Sequence, residues 1–238
     1  MAFENVYEDD QRAAAYATLE FPGTYYLAYR DIPELIAKYA NGSIALDFGC
    51  GTGRSTRFLN KLGFTAVGVD ISAKMIAKAS EFDPQGDYRV VADGDLGGLG
   101  GLKFDLVLSA FTFDNIPTHE KKVALLRQTK GLMAPEAIML NLVSSPEIYR
   151  HEWASFTTKD FPENRDARSG DQVKIIMKDV EDSRPVIDIL WSDEAYREVY
   201  QEAGLKLLQT HKPLGQSSEP YAWLSETEIA PWVIYILK

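Results

Sequence analysis

Residues 46–54, with the sequence LDFGCGTGR, constrain the possible fold more than any other part of the chain. An apolar run at 44–48 leads into this segment, and a helical pattern begins at Arg54. Glycines allow the backbone to turn sharply and let a ligand approach without a Cβ in the way. The start of the following helix offers free N–H groups and the positive end of its dipole. The segment therefore predicts a strand–turn–helix unit that binds a ligand.

Strands and helices alternate regularly around and beyond this turn. The predicted strands cover 44–48, 66–69, 88–92, 104–110 and 137–143. The predicted helices cover 54–62, a stretch from an N-cap at Ser72 to residue 79, and 120–133. Such alternation is typical of a parallel sheet with helices on both of its faces.

The segments on either side of this core have different patterns. Two helices are predicted before it, at 10–19 and 26–39. After residue 143 the alternation stops, and an irregular, aromatic insert runs from 144 to 191 with β-like stretches at 173–177 and 186–191. Its aromatic residues, which include Trp153 and Phe156, suit either a substrate cover or an ordinary core.

The C-terminal part returns to regular structure. A helix at 192–203 and strands at 205–209 and 232–237 are predicted. The link between those strands contains Pro213, Gly215, Pro220 and Pro231, which disfavour a crossover helix. Parallel neighbouring strands need a crossover, whereas antiparallel ones do not. We therefore expect the last strand to run antiparallel to the others.

Composition narrows the partners and the location that we expect. The formal net charge of −10 disfavours a nucleic-acid partner, because such proteins usually gather basic residues on one face. We find no run of about 18 apolar residues for a membrane helix. Neither a signal-peptide pattern nor more than one cysteine, Cys50, is present, which gives a cytoplasmic location by default. No His, Cys and Asp spacing suits a metal.

The glycine spacing and two acids indicate which kind of ligand the turn binds. A nicotinamide-binding turn would place its last glycine where Arg54 stands. Asp47 precedes the glycines. Its negative charge would repel a pyrophosphate, but it suits a cationic ligand. Asp70 ends the second predicted strand, where an acid can accept both ribose hydroxyls of an adenosine group.

Three stretches together resemble the class I S-adenosylmethionine-dependent methyltransferases. LDFGCGTG resembles the first motif of that family, VGVDIS its second-strand motif and FDLVLSAF its fourth-strand motif. The resemblance implies an α/β fold with a doubly wound, seven-stranded Rossmann-like sheet and an antiparallel last strand. We expect one domain with an N-terminal helical segment at 1–42, a cofactor-binding core at 43–143, a substrate-covering insert at 144–191 and the rest of the sheet at 192–238.

The resemblance also implies the residues that bind the cofactor S-adenosylmethionine. The methionine end would be shaped by Asp47, Gly49, Gly51 and Gly53. Asp70 would bind the ribose, and an acid after the third strand would bind adenine. Strand alignment favours Asp93 for that second role, whereas the spacing to Leu99 favours Asp95. The neighbouring positions Ile71, Gly94 and Ala110 belong to the same expected site.

Further residues are expected around the transferred methyl group. The resemblance places Phe111 close to it, and Tyr7 and Tyr16 resemble tyrosines that close over the cofactor in some relatives. Many small-molecule members have histidines where this chain has Asp114 and Asn115. Asp114, or His151 in the insert, could take a proton from the acceptor or orient it. A carboxylate would also favour a cationic amine or a polar heterocycle.

The sequence thus predicts methyl transfer from S-adenosylmethionine to an O or N atom of a small molecule. Alignment of the reactants in a desolvated site would provide most of the catalysis. The glycine spacing disfavours a nicotinamide-dependent oxidoreductase. Acidic charge and the aromatic insert disfavour a nucleic-acid or protein methyltransferase. A non-catalytic, cofactor-binding regulator stays open, and the sequence identifies neither the acceptor nor the oligomeric state.

Overall fold

The computed structural model describes residues 22–180 and 182–238. In chain order its strands are β1 Ile44–Phe48, β2 Thr65–Asp70, β3 Asp87–Val90, β4 Phe104–Ala110, β5 Met133–Ser144, β6 Phe156–Thr157, β7 Gln172–Met177, β8 Val186–Ile189, β9 Leu207–His211 and β10 Trp232–Leu237. Its helices are α1 Thr24–Arg30, α2 Ile32–Tyr39, α3 Arg54–Lys61, α4 Ala73–Phe82, α5 His119–Leu132 and α6 Asp193–Glu202. The predicted helix at 10–19 lies outside the described residues.

Seven strands form the main sheet, in the order β3-β2-β1-β4-β5-β10-β9. The pairs on the β3 side of β5 are parallel, and β10 runs antiparallel to both β5 and β9. The predicted doubly wound sheet and its antiparallel last strand are therefore confirmed. The strand order reverses at β1, which lies between β2 and β4, and ligands bind at such switch points in open α/β sheets.

Both faces of the sheet are buried, so the central strands read as continuous apolar runs. In β10, Ile234 and Ile236 join the hydrophobic cluster that includes α1, α2 and the insert. Val233 and Tyr235 point to the opposite face and pack with α5 and α6. This alternation along one strand follows from the period of two in a pleated backbone.

Residues 144–191 form a separate layer beside the sheet. β6, β7 and β8 make a three-stranded antiparallel sheet, and Asn164 bonds to the backbone of Tyr149 and Lys174 within it. Contacts of Thr24 hold α1 against this layer. Its hydroxyl donates to Glu226 at 2.7 Å and accepts from the Ser155 N–H at 3.0 Å.

Several predicted boundaries differ from the structure for identifiable reasons. The predicted helix at 26–39 was wrong as a single element, because α1 and α2 break at Asp31. Pro33 enters there without an N–H and would clash within a continuous helix. β5 begins at Met133, earlier than predicted, because a register shift against β4 adds an irregular pairing around Pro135. β9 starts two residues late, since the Leu205 N–H still closes the end of α6.

The helices in the described part of the chain are all too short or too polar to cross a membrane.

Candidate active site

A cavity opens beside the carboxyl ends of β1, β2 and β4, next to the switch point of the sheet. Phe48 and Val69, at the ends of β1 and β2, form part of its apolar wall. The structure brings most of the predicted cofactor residues together there. The predicted residues that line this cavity are Gly49, Gly51, Asp70, Ile71, Asp93, Gly94, Ala110 and Phe111.

The glycine-rich turn is shaped by left-handed backbone angles that glycine adopts without penalty. Gly49 has φ 76°, and a Cβ there would collide with the side chain of Thr112. Gly51 has φ 52°, but a Cβ there would meet no atom of the described residues within 4 Å. Because Gly51 lines the cavity, the bare backbone at this position leaves room for a ligand.

Asp70 is held at the cavity wall by backbone hydrogen bonds. Its Oδ2 accepts from the Gly51 N–H at 2.9 Å, and its Oδ1 accepts from the Ser72 N–H at 2.9 Å. Burial raises the pKa of this carboxyl, and the backbone donors oppose that rise. Each oxygen keeps a second lone pair, so the oriented carboxylate can still accept hydroxyl groups.

Asp47 and Gly53 stand behind the cavity, which they do not line. Asp47 is fully buried, and its Oδ2 accepts from the hydroxyls of Ser55 and Thr56, each at 2.6 Å. Its Oδ1 is buried with no hydrogen-bond partner among the described residues. Burial raises the pKa of Asp47 to about 6. Gly53 is the N-cap of α3 and has φ 78°.

The two candidate acids after β3 have different surroundings. Asp93 lines the cavity, with 59% of its side chain exposed, and pairs with Lys121 at 2.7 Å. Asp95 does not line the cavity. Its Oδ1 accepts from the Gly97 N–H at 2.7 Å and so supports the next turn.

Phe111 separates the first cavity from a second one and lines both. It has φ 63°, which makes it the one non-glycine residue of the described chain with a positive φ. A left-handed conformation costs about 1–2 kcal/mol for a residue with a Cβ. Such strain tends to persist at functional positions, where the surrounding structure enforces it. Tyr7 and Tyr16, the other residues expected near the methyl group, lie outside the described residues.

A second cavity lies between the main sheet and the insert. Five aromatic side chains line it, and four of their rings contact one another. The ring centroids of Phe111 and Trp232 are 4.8 Å apart, and those of Tyr25 and Phe156 are 5.1 Å apart. Trp153, in contrast, is buried away from this cavity and donates its Nε1–H to the Ile148 carbonyl at 2.8 Å.

Asp114 lies on the wall of this second cavity, as its predicted role near the acceptor requires. Its Oδ2 accepts from the Ser144 N–H at 3.0 Å, and the Tyr196 hydroxyl lies 3.4 Å from its Oδ1. Burial raises the pKa of the Asp114 carboxyl, and the Ser144 donors and the charge of Lys122 oppose that rise. The carboxyl is thus buried, oriented and open to the cavity.

Asp188 is a second acid on the same wall, and the sequence analysis did not identify it. It lies on β8 of the insert and accepts a hydrogen bond from the Tyr149 hydroxyl at 3.0 Å. A signal was present in the sequence. Asp188 interrupts the apolar stretch VIDI and shares a strand face with Val186, which lines the cavity too.

His151 is not brought to either of these cavities. Its Nε2 pairs with Glu147 at 3.1 Å, its ring lies edge-on to Trp153, and 37% of its side chain is exposed. The prediction that it covers the same cavity as Asp114 therefore finds no support in this arrangement. Among residues 22–180 and 182–238, no group of three or more His, Cys, Asp or Glu residues could hold a metal ion.

Comparisons with known proteins show which proteins this chain resembles. A family model described as a methyltransferase domain matches residues 46–139. The N-demethylindolmycin N-methyltransferase of Streptomyces griseus is 26% identical over 200 residues, which cover 83% of each chain. Two solved structures share the fold. The CcbJ methyltransferase of Streptomyces caelestis has a TM-score of 0.66 with 18% identity over 96% of each chain. An S-adenosylmethionine-dependent methyltransferase of Clostridium acetobutylicum has a TM-score of 0.63 with 13% identity over 98% of this chain and 96% of that one.

The domain match covers the glycine-rich turn, Asp70 and β4, the same elements that form the first cavity. The chain thus contains a methyltransferase domain at residues 46–139 and has the fold of S-adenosylmethionine-dependent methyltransferases. S-adenosylmethionine is therefore the expected cofactor of this methyltransferase.

The residues of the first cavity fit that cofactor. The bare backbone at Gly51 leaves space that a Cβ would fill, and the Asp70 carboxylate faces it as an oriented acceptor for hydroxyls. The bound cofactor supplies an electrophilic methyl group.

Proposed function

We propose that this methyltransferase transfers the methyl group to a nitrogen atom of a small molecule held in the second cavity. The observation that carries the proposal is the position of Asp114. This buried carboxylate lies on the wall of a cavity with several aromatic residues, which adjoins the first cavity at Phe111 and Asn115.

The position and the lining of this cavity favour a small acceptor over a macromolecule. Its walls come from α1, the turn after β4, the ends of β5 and β10, and the insert, so it lies between the main sheet and the insert layer. No Lys, Arg or His is among the described residues that line this space, whereas a nucleic-acid site needs basic groups to meet phosphates. The insert at 144–191 would thus cover the substrate, as the sequence predicts.

A nitrogen acceptor is favoured over an oxygen acceptor by charge and by relationship. A buried carboxylate attracts an ammonium group and can remove its proton. The Streptomyces griseus relative is named for N-methylation of a small molecule, and it matches most of this chain. These two observations support nitrogen, of the two atoms that the sequence predicts, as the methyl acceptor.

Cofactor binding would rest on the residues of the first cavity. We assign Asp70 to the ribose, Asp93 to adenine, and the turn at Gly49 and Gly51 to the methionine end. Asp93 is chosen over Asp95 because it lines the cavity, while Asp95 supports the turn at Gly97. His151 has no part in this proposal, and a cytoplasmic location stays a prediction.

The test is a search for the acceptor with the purified, full-length protein. It is incubated with S-adenosylmethionine labelled in the methyl group and with matched sets of small amines and alcohols. Mass spectrometry then locates the label. Label on nitrogen supports the proposal, and label on oxygen contradicts it. Tight binding of S-adenosylhomocysteine without transfer to any compound would indicate a regulator instead.

A further inference from the structure

Two carboxylates line the second cavity, whereas the proposed function uses only one of them, Asp114. We propose that Asp114 and Asp188 form a two-carboxylate subsite that binds the protonated amino group of the acceptor and takes its proton. This inference rests on the proposed function, since it names the chemical class of the acceptor at the same site. It assigns a part in acceptor recognition to Asp188, a residue of the insert.

The two carboxylates come from separate parts of the fold that pack together. Asp114 lies in the 3₁₀ turn Thr112–Asn115 after β4, and β8, which carries Asp188, packs against that turn. Each acid is fixed by a neighbour outside the pair, through the Ser144 N–H for Asp114 and the Tyr149 hydroxyl for Asp188. Both line the same cavity, so one small group can meet both.

The charges around this pair do not balance. Lys122 is the basic residue that opposes Asp114, but it is itself fully buried and donates to the Phe113 carbonyl. Its ammonium lies 4.8 Å from the ring centre of Trp191. When both acids are ionised, the three groups carry one net negative charge. Buried charge is costly unless it is paired, so a cation in the cavity would complete the cluster.

Other parts of the wall suit an ammonium group as well. The aromatic rings of Tyr25, Phe111, Phe156 and Trp232 surround the cavity, and ring faces attract cations. Asn115 lines both cavities, and its Oδ1 is buried with no hydrogen-bond partner among the described residues. An amino group between the two cavities could therefore find carboxylate and amide acceptors together.

The pair also explains how the acceptor nitrogen becomes nucleophilic. An ammonium has no free lone pair, so one N–H bond must break before nitrogen can bond to carbon. The proton moves to a carboxylate oxygen, the electron pair stays on nitrogen, and the carboxylate becomes a neutral acid. Burial, and then the charge of Asp114, raise the pKa of the Asp188 carboxyl, which makes it a better proton acceptor.

The proposal is tested by binding of matched amines and alcohols to the full-length protein with S-adenosylhomocysteine present. The probes are ethylamine and ethanol, benzylamine and benzyl alcohol, and phenethylamine and 2-phenylethanol, followed by calorimetry at neutral pH. We expect at least one amine to bind about tenfold or more tightly than its alcohol. No preference for amines in any pair would overturn the proposal, even before any variant is made.

Variants then assign the preference to the two acids. Asp114→Asn and Asp188→Asn should each reduce the preference about tenfold, while Asp160→Asn, on an exposed position of the insert, should leave it unchanged. Normal affinity for S-adenosylhomocysteine verifies that a variant is folded. An amine preference that survives in both folded variants would contradict the proposal.

A pH profile separates proton transfer from simple structural support. Once a methylated amine is identified, kcat/KM should rise with the ionisation of the acid pair, and that limb should shift in Asp188→Asn. Lys122, Tyr149 and Tyr196 also face the pair. Tyr149→Phe serves as a comparison variant, because it keeps both carboxylates. An unshifted profile in Asp188→Asn would overturn the proton role. Transfer to oxygen would contradict the proposed function. Transfer to nitrogen with an unshifted profile in Asp188→Asn would contradict only the proton role, so the two failures can be told apart.

Discussion

Oδ2 of Asp70 accepts a hydrogen bond from the backbone N–H of Gly51 at 2.9 Å. One contact thus joins the end of β2 to the glycine-rich turn after β1. Asp70 ends β2 and Gly51 follows β1, and the carboxyl ends of these two neighbouring parallel strands meet at one edge of the sheet. The acid that is expected to bind the ribose therefore also fixes the turn that is expected to receive the methionine end.

This double role predicts the effect of Asp70→Ala. The variant should bind S-adenosylhomocysteine about tenfold to hundredfold more weakly, because a hydrogen bond to a charged group contributes about 1.5–3 kcal/mol. Calorimetry measures the affinity. Asp87→Asn is the control, since Asp87 is an exposed acid on β3 that pairs with Arg89. Equal affinity in the wild type and Asp70→Ala would remove the ribose assignment.

A second prediction concerns the open space beside Gly51. Gly51→Ala should abolish most cofactor binding, because the new Cβ would occupy the cavity while meeting no protein atom. Its left-handed backbone should cost about 1–2 kcal/mol in the free energy of unfolding. Gly63→Ala is the matched control, with φ 93° and no atom near its Cβ. Both variants should lose similar stability, as chemical denaturation would show, but only Gly51→Ala should lose affinity. Similar affinities in the two variants would contradict the prediction.

A third prediction decides between the two acids after β3. Asp93→Ala should weaken S-adenosylhomocysteine binding, because this carboxylate lines the cavity. Asp95→Ala should leave the affinity within about twofold of the wild type and mainly loosen the turn at Gly97. Calorimetry on the two variants gives the answer directly. The reverse order of effects would restore the assignment of adenine to Asp95.

Local signals in the sequence predicted the strands and the turn that form the first cavity. The turn at Gly49, Gly51 and Gly53 and the acid at Asp70 are each set by a short strand and its loop. Neighbouring parallel strands then bring them together without further information. The antiparallel direction of β10 could be predicted too, because proline and glycine residues in one loop disfavour the crossover helix that a parallel neighbour needs.

The acceptor half depends on contacts between distant segments, which sequence patterns do not show. Asp188 meets Asp114 only because β8 packs against the turn after β4. The sequence also placed His151 at the cavity because it lies in the insert. In the structure His151 instead pairs with Glu147, four residues earlier, and neither residue lines either of the two cavities. The sequence pattern thus located the insert, but it did not show which side chains of the insert face the cavity.

A fourth prediction follows from the buried acid behind the turn. Burial raises the pKa of Asp47 to about 6, from 3.8 in its ordinary surroundings. Between those pH values the folded state binds more protons than the unfolded state, so the free energy of unfolding falls as pH rises. The loss from Asp47 alone should be about 3 kcal/mol and complete above about pH 6.

Asp47→Asn tests this effect, because an amide of the same shape does not titrate. Urea denaturation at about pH 4 and about pH 7 gives the change in stability for each protein. Asp70, Asp114 and Asp188 also have raised pKa values and contribute in the same direction, so the wild type minus variant difference isolates Asp47. Ser55, Thr56 and Arg54 favour the charged form and moderate the effect. Parallel pH curves would show that Asp47 does not titrate differently on folding.

The last prediction separates two aromatic residues of the insert that the sequence treats alike. Phe156 lines the second cavity, whereas Trp153 is wholly buried and bonds to the Ile148 carbonyl. Phe156→Leu, which nearly conserves volume, should raise the KM for an amine acceptor about threefold to tenfold through the loss of a ring face. Trp153→Phe should instead lower the free energy of unfolding by about 1–3 kcal/mol, because the Ile148 carbonyl loses its donor. Its acceptor KM should stay close to that of the wild type.

Steady-state kinetics with each substrate varied in turn, together with denaturation curves, measures both effects. Neither variant should change the KM for S-adenosylmethionine, since neither residue lines the first cavity. If Trp153→Phe shifts the acceptor KM as much as Phe156→Leu does, the insert acts on the acceptor through its overall packing and not through the wall of the cavity.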